Sequence, residues 1–231
     1  MTTLTASASS RKSREILAVC LAIVAGYVDA YGFLTFSTFV SFMSGNTTRA
    51  GYSIGLGSYH TALPAVCAII SFVAGVFTGT LLTSSQAGRS RRPLYLTITC
   101  LLAFYIGAFH LGAVTKFPGI MLLSFTMGVM NTALARVGKE PVNLTFVTGT
   151  LSQIGGHLAL ATRREPLDDA GSAGDTHFRR ALILTLIWIG FLGGAILGGA
   201  ATSFLREWML VIPLAIMLTL AVIGPVRHTD D

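Results

Sequence analysis

One carboxylate stands inside a membrane-length apolar run. Asp29 lies in the run Ile16–Phe36, and the other nine acids fall at run ends, in loops or in the tails. A charged Asp at the centre of a membrane helix costs about 2.5–3.5 kcal/mol even on the lenient insertion scale, so such a residue is expected to face a cavity or a partner. Loss of water favours the neutral carboxyl, which makes Asp29 a candidate proton carrier. The structural alternative is a hydrogen-bonded Asp that pins the first span. Asn131 holds the matching place in the second half of the chain, alike in shape but unable to ionise, so only one half of a shared site would titrate. Two polar clusters join this pair. Ser44-Gly45-Asn46-Thr47 and Thr148-Gly149-Thr150 read as helix starts, each a flexible glycine beside side-chain oxygens suited to capping free backbone N–H groups. A short helix that begins inside a membrane turns its partly positive end toward the cavity it meets. Two such ends from opposite faces would form a small polar chamber for an anionic or hydrogen-bonding solute. Ordinary capping of an interfacial helix is the competing interpretation.

Other chemistry is hard to assemble from this sequence. It contains no Gly-x-Ser-x-Gly, His-Glu-x-x-His or Walker motif and no paired intramembrane aspartates, so no catalytic role and no cofactor are expected. His60, His110 and His157 lack metal-ligand spacing, and of these only His157 lies on a polar segment. Cys20, Cys67 and Cys100 sit in apolar runs and read as small hydrophobes, with no metal site. Arg49, just after the first polar segment, could hold a substrate anion or sit at the outer headgroups, and the headgroups are the favoured placement; Glu140 with Arg136 and Lys139 reads as a solvated loop cluster. Asn46-Thr-Thr and Asn143-Leu-Thr match the glycosylation pattern by accident.

The elements that must position these residues follow from composition. Of 231 residues, 52% are hydrophobic and only 11% charged, with a mean hydropathy of +0.70. A soluble domain carries about 25% charged residues, so this chain is expected in a lipid bilayer. A bilayer-crossing helix needs about 20 mostly apolar residues. Six runs are candidates: Ile16–Phe36, Thr61–Thr83, Pro93–Val114, Phe117–Ala135, Ala181–Phe204 and Trp208–Val226. Only the first contains a charged residue. Met1–Ser10 is Ser/Thr/Ala-rich and expected to be disordered. The first run continues past Ala25 without a convincing cleavage site, so it reads as an uncleaved span. With six spans and a cytoplasmic N-terminus, thirteen Lys and Arg residues fall on the cytoplasmic side against Arg49, Lys116 and Arg206 opposite. That bias is the positive-inside pattern. The formal net charge of +6 therefore reports topology and not a nucleic-acid partner.

Two segments, 37–60 and 141–162, are fairly apolar yet rich in Gly, Ser and Thr, and each lies between spans flanked on the same side. They are expected to be re-entrant or interfacial. Irregular backbone at membrane depth is tolerated only where it is buried in protein or lines a cavity.

The chain also repeats itself. Gly26-x-x-Asp29 followed by Ser44-Gly45-Asn46-Thr47 is matched by Gly128-x-x-Asn131 followed by Thr148-Gly149-Thr150, and Phe72-x-x-Gly75-x-x-x-Gly79 by Phe191-x-x-Gly194-x-x-x-Gly198. Three crossings per unit would force the second unit to insert upside down, the inverted-repeat plan of many secondary transporters. Gly75, Gly79, Gly194 and Gly198 are expected to be helix-packing positions.

Gly26-x-x-Asp29-Ala30 with Phe39 to Ser44-Gly45-Asn46-Thr47, in a chain of this length, resembles the bacterial YoaK family of multi-pass membrane proteins, a domain of unknown function. The resemblance covers Glu15 to Val226 and implies an integral protein of the bacterial inner membrane. It implies no substrate.

The expected architecture is all-α and integral to the membrane: an N-terminal tail (1–14), a first three-span repeat (15–115), a second repeat (116–226) with a cytoplasmic linker (163–180), and a tail (227–231). Its expected function is secondary transport of a small solute, proton-coupled through Asp29. The alternatives are a non-transporting scaffold, assembly factor or sensor, or a passive channel. Six short spans shield a central cavity poorly, which makes a homodimer a reasonable arrangement. With both termini cytoplasmic, a cysteine introduced at Ser58 into a background without native cysteines should react with an impermeant reagent from outside, and one at Ala170 from inside. The reverse labelling would overturn this orientation.

Overall fold

The structure, a computed structural model, describes residues 2–84, 91–133, 136–137, 140–141, 147–167 and 175–223. Among these it is helical: α1 (Thr2–Phe36), α2 (Met43–Gly55), α3 (Tyr59–Ser84), α4 (Arg92–His110), α5 (Lys116–Asn131), α6 (Val147–Arg163), α7 (His177–Leu205) and α8 (Val211–Ile223), with a 3-10 turn at Arg206–Trp208. The one departure is a minimal antiparallel pair, β1 (Arg136–Val137) and β2 (Glu140–Pro141), with Arg136 opposite Pro141. Lys139, Asn143, part of the linker (168–174) and the tail 227–231 lie outside the described residues.

Among the described residues, four helices are long and apolar enough to cross a membrane: Lys12–Phe36 within α1, then α3, α4 and α7. The runs Phe117–Ala135 and Trp208–Val226 appear as helices of 16 and 13 residues. At 1.5 Å per residue these reach about 20–24 Å, short of the roughly 30 Å hydrocarbon layer. Residues 134–135 and 224–226, which complete the two runs, are outside the described set. The N-terminal stretch departs from expectation: α1 begins at Thr2. Between Thr2 and Glu15 no Gly or Pro interrupts the sequence, so the helix nucleated in the apolar run has nothing to stop it propagating backwards.

The chain divides into two compact units. The first comprises residues 1–26 and 134–194. Here the N-terminal part of α7 lies close against α1: a β-carbon on Gly190 would stand 3.1 Å from the Val19 carbonyl oxygen, and one on Gly194 would overlap that of Ile23. Ion pairs fix the start of α7, Arg179 to Glu15 at 2.7 Å and Arg180 to Asp175 at 3.1 Å, the latter buried.

The second unit comprises residues 27–133 and 195–231. In it α3 packs on α5 and α2, and α4 on α5 and α8. Gly75 and Gly128 meet face to face, so that a β-carbon on either would overlap a backbone carbonyl of the facing helix, Phe125 or Phe72. A β-carbon on Gly79 would stand 3.1 Å from the Val129 carbonyl oxygen, and one on Gly198 2.9 Å from that of Tyr27. Two arginines tie helix ends across this unit: Arg91 donates to the carbonyls of Thr132 and Ala133, and Arg92 Nε to the Ala221 carbonyl at 2.8 Å. Large apolar side chains point outward, among them Ile70, Val73, Phe77 and Leu81 at helical spacing on α3. Small residues inside and large apolar ones outside is the arrangement suited to lipid.

The close approaches separate glycines that look alike in sequence. Gly194→Ala should lower stability by about 1–3 kcal/mol, the usual cost of overpacking. Gly193→Ala should leave it unchanged, because a β-carbon there meets nothing within 4 Å. Thermal unfolding in detergent measures both, and equal midpoints would overturn the packing described.

Candidate functional site

The chain leaves α1 at Ser37, whose backbone is left-handed (φ 54°), and folds back on itself before α2. Gly32 permits the return, since a β-carbon there would stand 2.6 Å from a Val40 methyl. Thr38, Val40 and Ser41 are buried. Irregular buried backbone must find hydrogen-bond partners, and side chains supply them. Asp29, 5% exposed, accepts the Val40 amide at 2.9 Å and the Ser41 amide at 2.8 Å, both on Oδ1. Asn46 Nδ2 donates to the Phe39 carbonyl at 2.7 Å, and the Arg49 guanidinium to the Ser37 carbonyl. One carboxylate, one amide and one guanidinium thus hold the segment Ser37–Phe42.

The capping expected of Ser44, Asn46 and Thr47 is not what starts α2. The N-cap is Phe42, with no side-chain cap. The polar residues lie beyond it, inside the first turns, where Thr47 Oγ1 donates back to the Met43 carbonyl at 2.8 Å and Asn46 reaches out of the helix. An N-cap oxygen must precede the helix by one residue to meet its free amides, and here Phe42 occupies that place.

Alternating faces of α2 divide its labour. Asn46, Ala50 and Ser53 are buried, whereas Gly45, Thr48, Arg49 and Tyr52 line a pocket of about 440 Å³. Three phenylalanines complete its wall: Phe33 stacks on Phe39 with ring centroids 4.6 Å apart, and Phe39 meets Phe42 edge-on at 5.2 Å. Ser44 and Asn46 also line it, and Asn46 Oδ1 is buried with no hydrogen-bond partner among the protein groups. Gly45 is required where it stands, because a β-carbon would overlap the Phe42 ring.

The structure therefore brings Asp29, Ser44, Gly45 and Asn46 into one neighbourhood, with Thr47 on the same helix turn. Asn131 ends α5, beside the Gly79–Thr132 contact. Thr148, Gly149 and Thr150 form the first turn of α6 in the other unit, with Thr150 buried. Arg49 donates to the Ser37 carbonyl of the loop and lines the pocket. The aromatic wall was missed, although phenylalanines at 33, 36, 39 and 42 are a visible signal; three of them line the pocket, whereas the Phe36 ring lies against Gly119. The bond between His157 Nδ1 and His177 Nδ1, 2.8 Å long, was missed as well. Further buried polar groups of the second unit are the Tyr31–Tyr105 hydroxyl pair at 3.0 Å and the hydroxyls of Tyr27, Tyr95, Ser53 and Ser124, which have no partner among the protein groups. Among the described residues no group of three His, Cys, Asp or Glu is placed to hold a metal ion.

Apolar outer faces, membrane-length helices and a buried carboxylate define the class, a multi-pass helical membrane protein. Residues 17–223 match the family described as protein of unknown function (DUF1275), and the chain belongs to that family. It is 25% identical over 228 residues to the UPF0700 transmembrane protein YoaK of Bacillus subtilis (strain 168), covering 94% of this chain and 97% of that one. It is 30% identical over 220 residues to the UPF0700 transmembrane protein RA0705 of Rhizobium meliloti (strain 1021), covering 91% and 88%. No solved structure gives a significant match.

The loop geometry makes a quantitative demand on Asp29. Asp29→Ala leaves two buried amides unpaired, at about 1–3 kcal/mol each, and should lower stability by about 2–5 kcal/mol. Asp29→Asn keeps an acceptor oxygen and should lose less than half as much. Unfolding of the variants in one detergent compares them, and an unaffected Ala variant would remove the loop-holding role.

Proposed function

We propose that this protein is a secondary transporter of a small solute, with six membrane-crossing segments in two inverted three-span units and both termini cytoplasmic in a bacterial inner membrane. It carries no catalytic chemistry in this reading, and a homodimer would help to shield its cavity.

The observation that carries the proposal is the direct bonding of an intramembrane carboxylate to the loop that walls the pocket. Hydrogen bonds to an ionised acceptor are roughly twice as strong as neutral ones. Protonation of Asp29 would weaken its hold on Val40 and Ser41, and those residues sit between Phe39 and Phe42 of the pocket wall. Proton binding and solute binding would then be linked, each altering the affinity for the other by the same factor.

The inverted repeat draws support from the glycine contacts. In α7, Gly194 and Gly198 approach the carbonyls of Ile23 and Tyr27. In α3, Gly75 and Gly79 approach those of Phe125 and Val129. These carbonyls hold identical places relative to Gly26 and Gly128, so each repeat's glycine helix packs on the other repeat's Gly-x-x-Asp/Asn helix. Reciprocal packing of this kind is what a two-fold relation between the repeats requires. One observation favours a second reading, a non-transporting scaffold: Asp29 is already engaged by backbone amides, as a purely structural residue would be.

Thermal unfolding of the purified protein at two pH values, against small anions, amino acids, nucleobases and sugars, separates the two. A ligand at a hundred times its Kd stabilises the native state by about 2.7 kcal/mol. A transporter should show a pH-dependent hit whose pH dependence vanishes in Asp29→Asn, and pH-gradient-driven uptake of that solute should vanish with it. A flat panel from folded protein would leave the scaffold.

A further inference from the structure

We infer that the α2 pocket takes a small organic monocarboxylate with a planar apolar body. The inference rests on the reading of this pocket as the transporter's solute site and adds the class of solute. Its chemistry is read from the lining. Arg49 is the one cation lining the pocket, and no acid lines it among the described residues. A guanidinium has five N–H donors in a fixed fork, and the bond to the Ser37 carbonyl uses one of its terminal nitrogens, leaving donors in the geometry that a carboxylate accepts.

A single guanidinium suits a monoanion. A phosphate dianion is usually met by several cations or amides, and the second cation is missing from this lining. The first turn of α2, at Ser44 and Gly45, forms another side of the pocket and adds its partly positive end.

The rest of the wall is apolar and flat. Phe33, Phe39, Phe42 and Tyr52 offer ring faces and edges to which a planar body packs in offset or edge-on contact. The volume of about 440 Å³ lies in the range of small-molecule sites. Asn46 Nδ2 donates to the Phe39 carbonyl at 2.7 Å and so fixes the residue whose ring forms part of the flat wall.

The test uses the full chain in detergent, with radiolabelled benzoate as the probe and benzamide and inorganic phosphate as competitors. Benzoate should bind, with benzamide and phosphate each at least about tenfold weaker, and Arg49→Gln should weaken benzoate by about tenfold or more, as expected for a lost charge-assisted bond. Lys116→Gln, a charge removed outside the pocket, should leave binding unchanged. Equal affinity for benzoate and benzamide, or indifference to Arg49→Gln, would overturn the inference. Should Arg49→Gln fail to fold, Tyr52→Ala replaces it: Tyr52 is 55% exposed, so its loss spares the fold, and removing one ring from the wall should weaken benzoate while sparing acetate; equal weakening of both would count against a planar subsite. Repetition in nanodiscs of phosphatidylcholine with and without phosphatidylglycerol identifies the other source of an anion. Competitive loss of benzoate in the anionic discs would assign the pocket to a lipid phosphate and overturn the carboxylate. Flux is measured separately in proteoliposomes. Binding without flux would keep the carboxylate site and remove the transporter, whereas flux of another solute without benzoate binding would do the reverse.

Discussion

Backbone that is both buried and irregular must be given its hydrogen bonds by something other than a helix or a sheet. In this protein the segment Ser37–Phe42 is such backbone, and Asp29, Asn46 and Arg49 give it three anchors. The position of α2 follows from them, because the loop sets where its first residue falls. The pocket follows in turn, since its walls come from the loop, from the end of α1 and from one face of α2. Without the carboxylate the two amides of Val40 and Ser41 would face an apolar interior, where an unpaired polar group costs several kcal/mol.

Against that local demand stands a general one. Helices in lipid gain little from burying apolar surface against one another, so they associate through close contact. The glycines provide it where the opposing surface is backbone: Gly75 on Gly128, Gly194 on the Ile23 carbonyl. These contacts leave no room for a side chain. The elements that define the pocket are held by a few hydrogen bonds from side chains.

Much of this was legible in the sequence where the signal was local or chemically rare. Asp29 declared itself as the lone carboxylate in an apolar run, and the Phe-x-x-Gly-x-x-x-Gly pairs as packing faces. What was not legible depended on contacts between distant residues. The partners of Asp29 lie eleven and twelve positions away across a chain reversal, and nothing in the spacing says that Val40 and not Thr47 comes back to it. Gly193 and Gly194 are neighbours in one glycine-rich stretch, yet only the second meets a facing helix. The side of the helix decides this, and composition does not record it. The bond between His157 and His177 likewise joins two helices across a connecting segment. The α2 start was misread for a different reason: Ser, Asn and Thr favour N-caps, but their hydrogen-bonding capacity serves equally well one turn inside the helix.

The helices α1 and α5 differ in one polar residue, three places after Gly26 and Gly128. Their packing is reciprocal down to the carbonyls that the glycines touch, but one helix carries Asp29 and the other Asn131. Asp and Asn differ little in volume and both offer a carbonyl-type acceptor, so either could serve a purely structural role. Only the aspartate can exist in two charge states, and only its charged form makes the stronger bonds to amides. The Asp29 carboxylate offsets its lost hydration through two bonds to backbone amides, which a neutral amide oxygen would accept more weakly. The glycine contacts are thus common to the two helices, while the group that can bind a proton, and the chain reversal it holds through Val40 and Ser41, belong to the first alone.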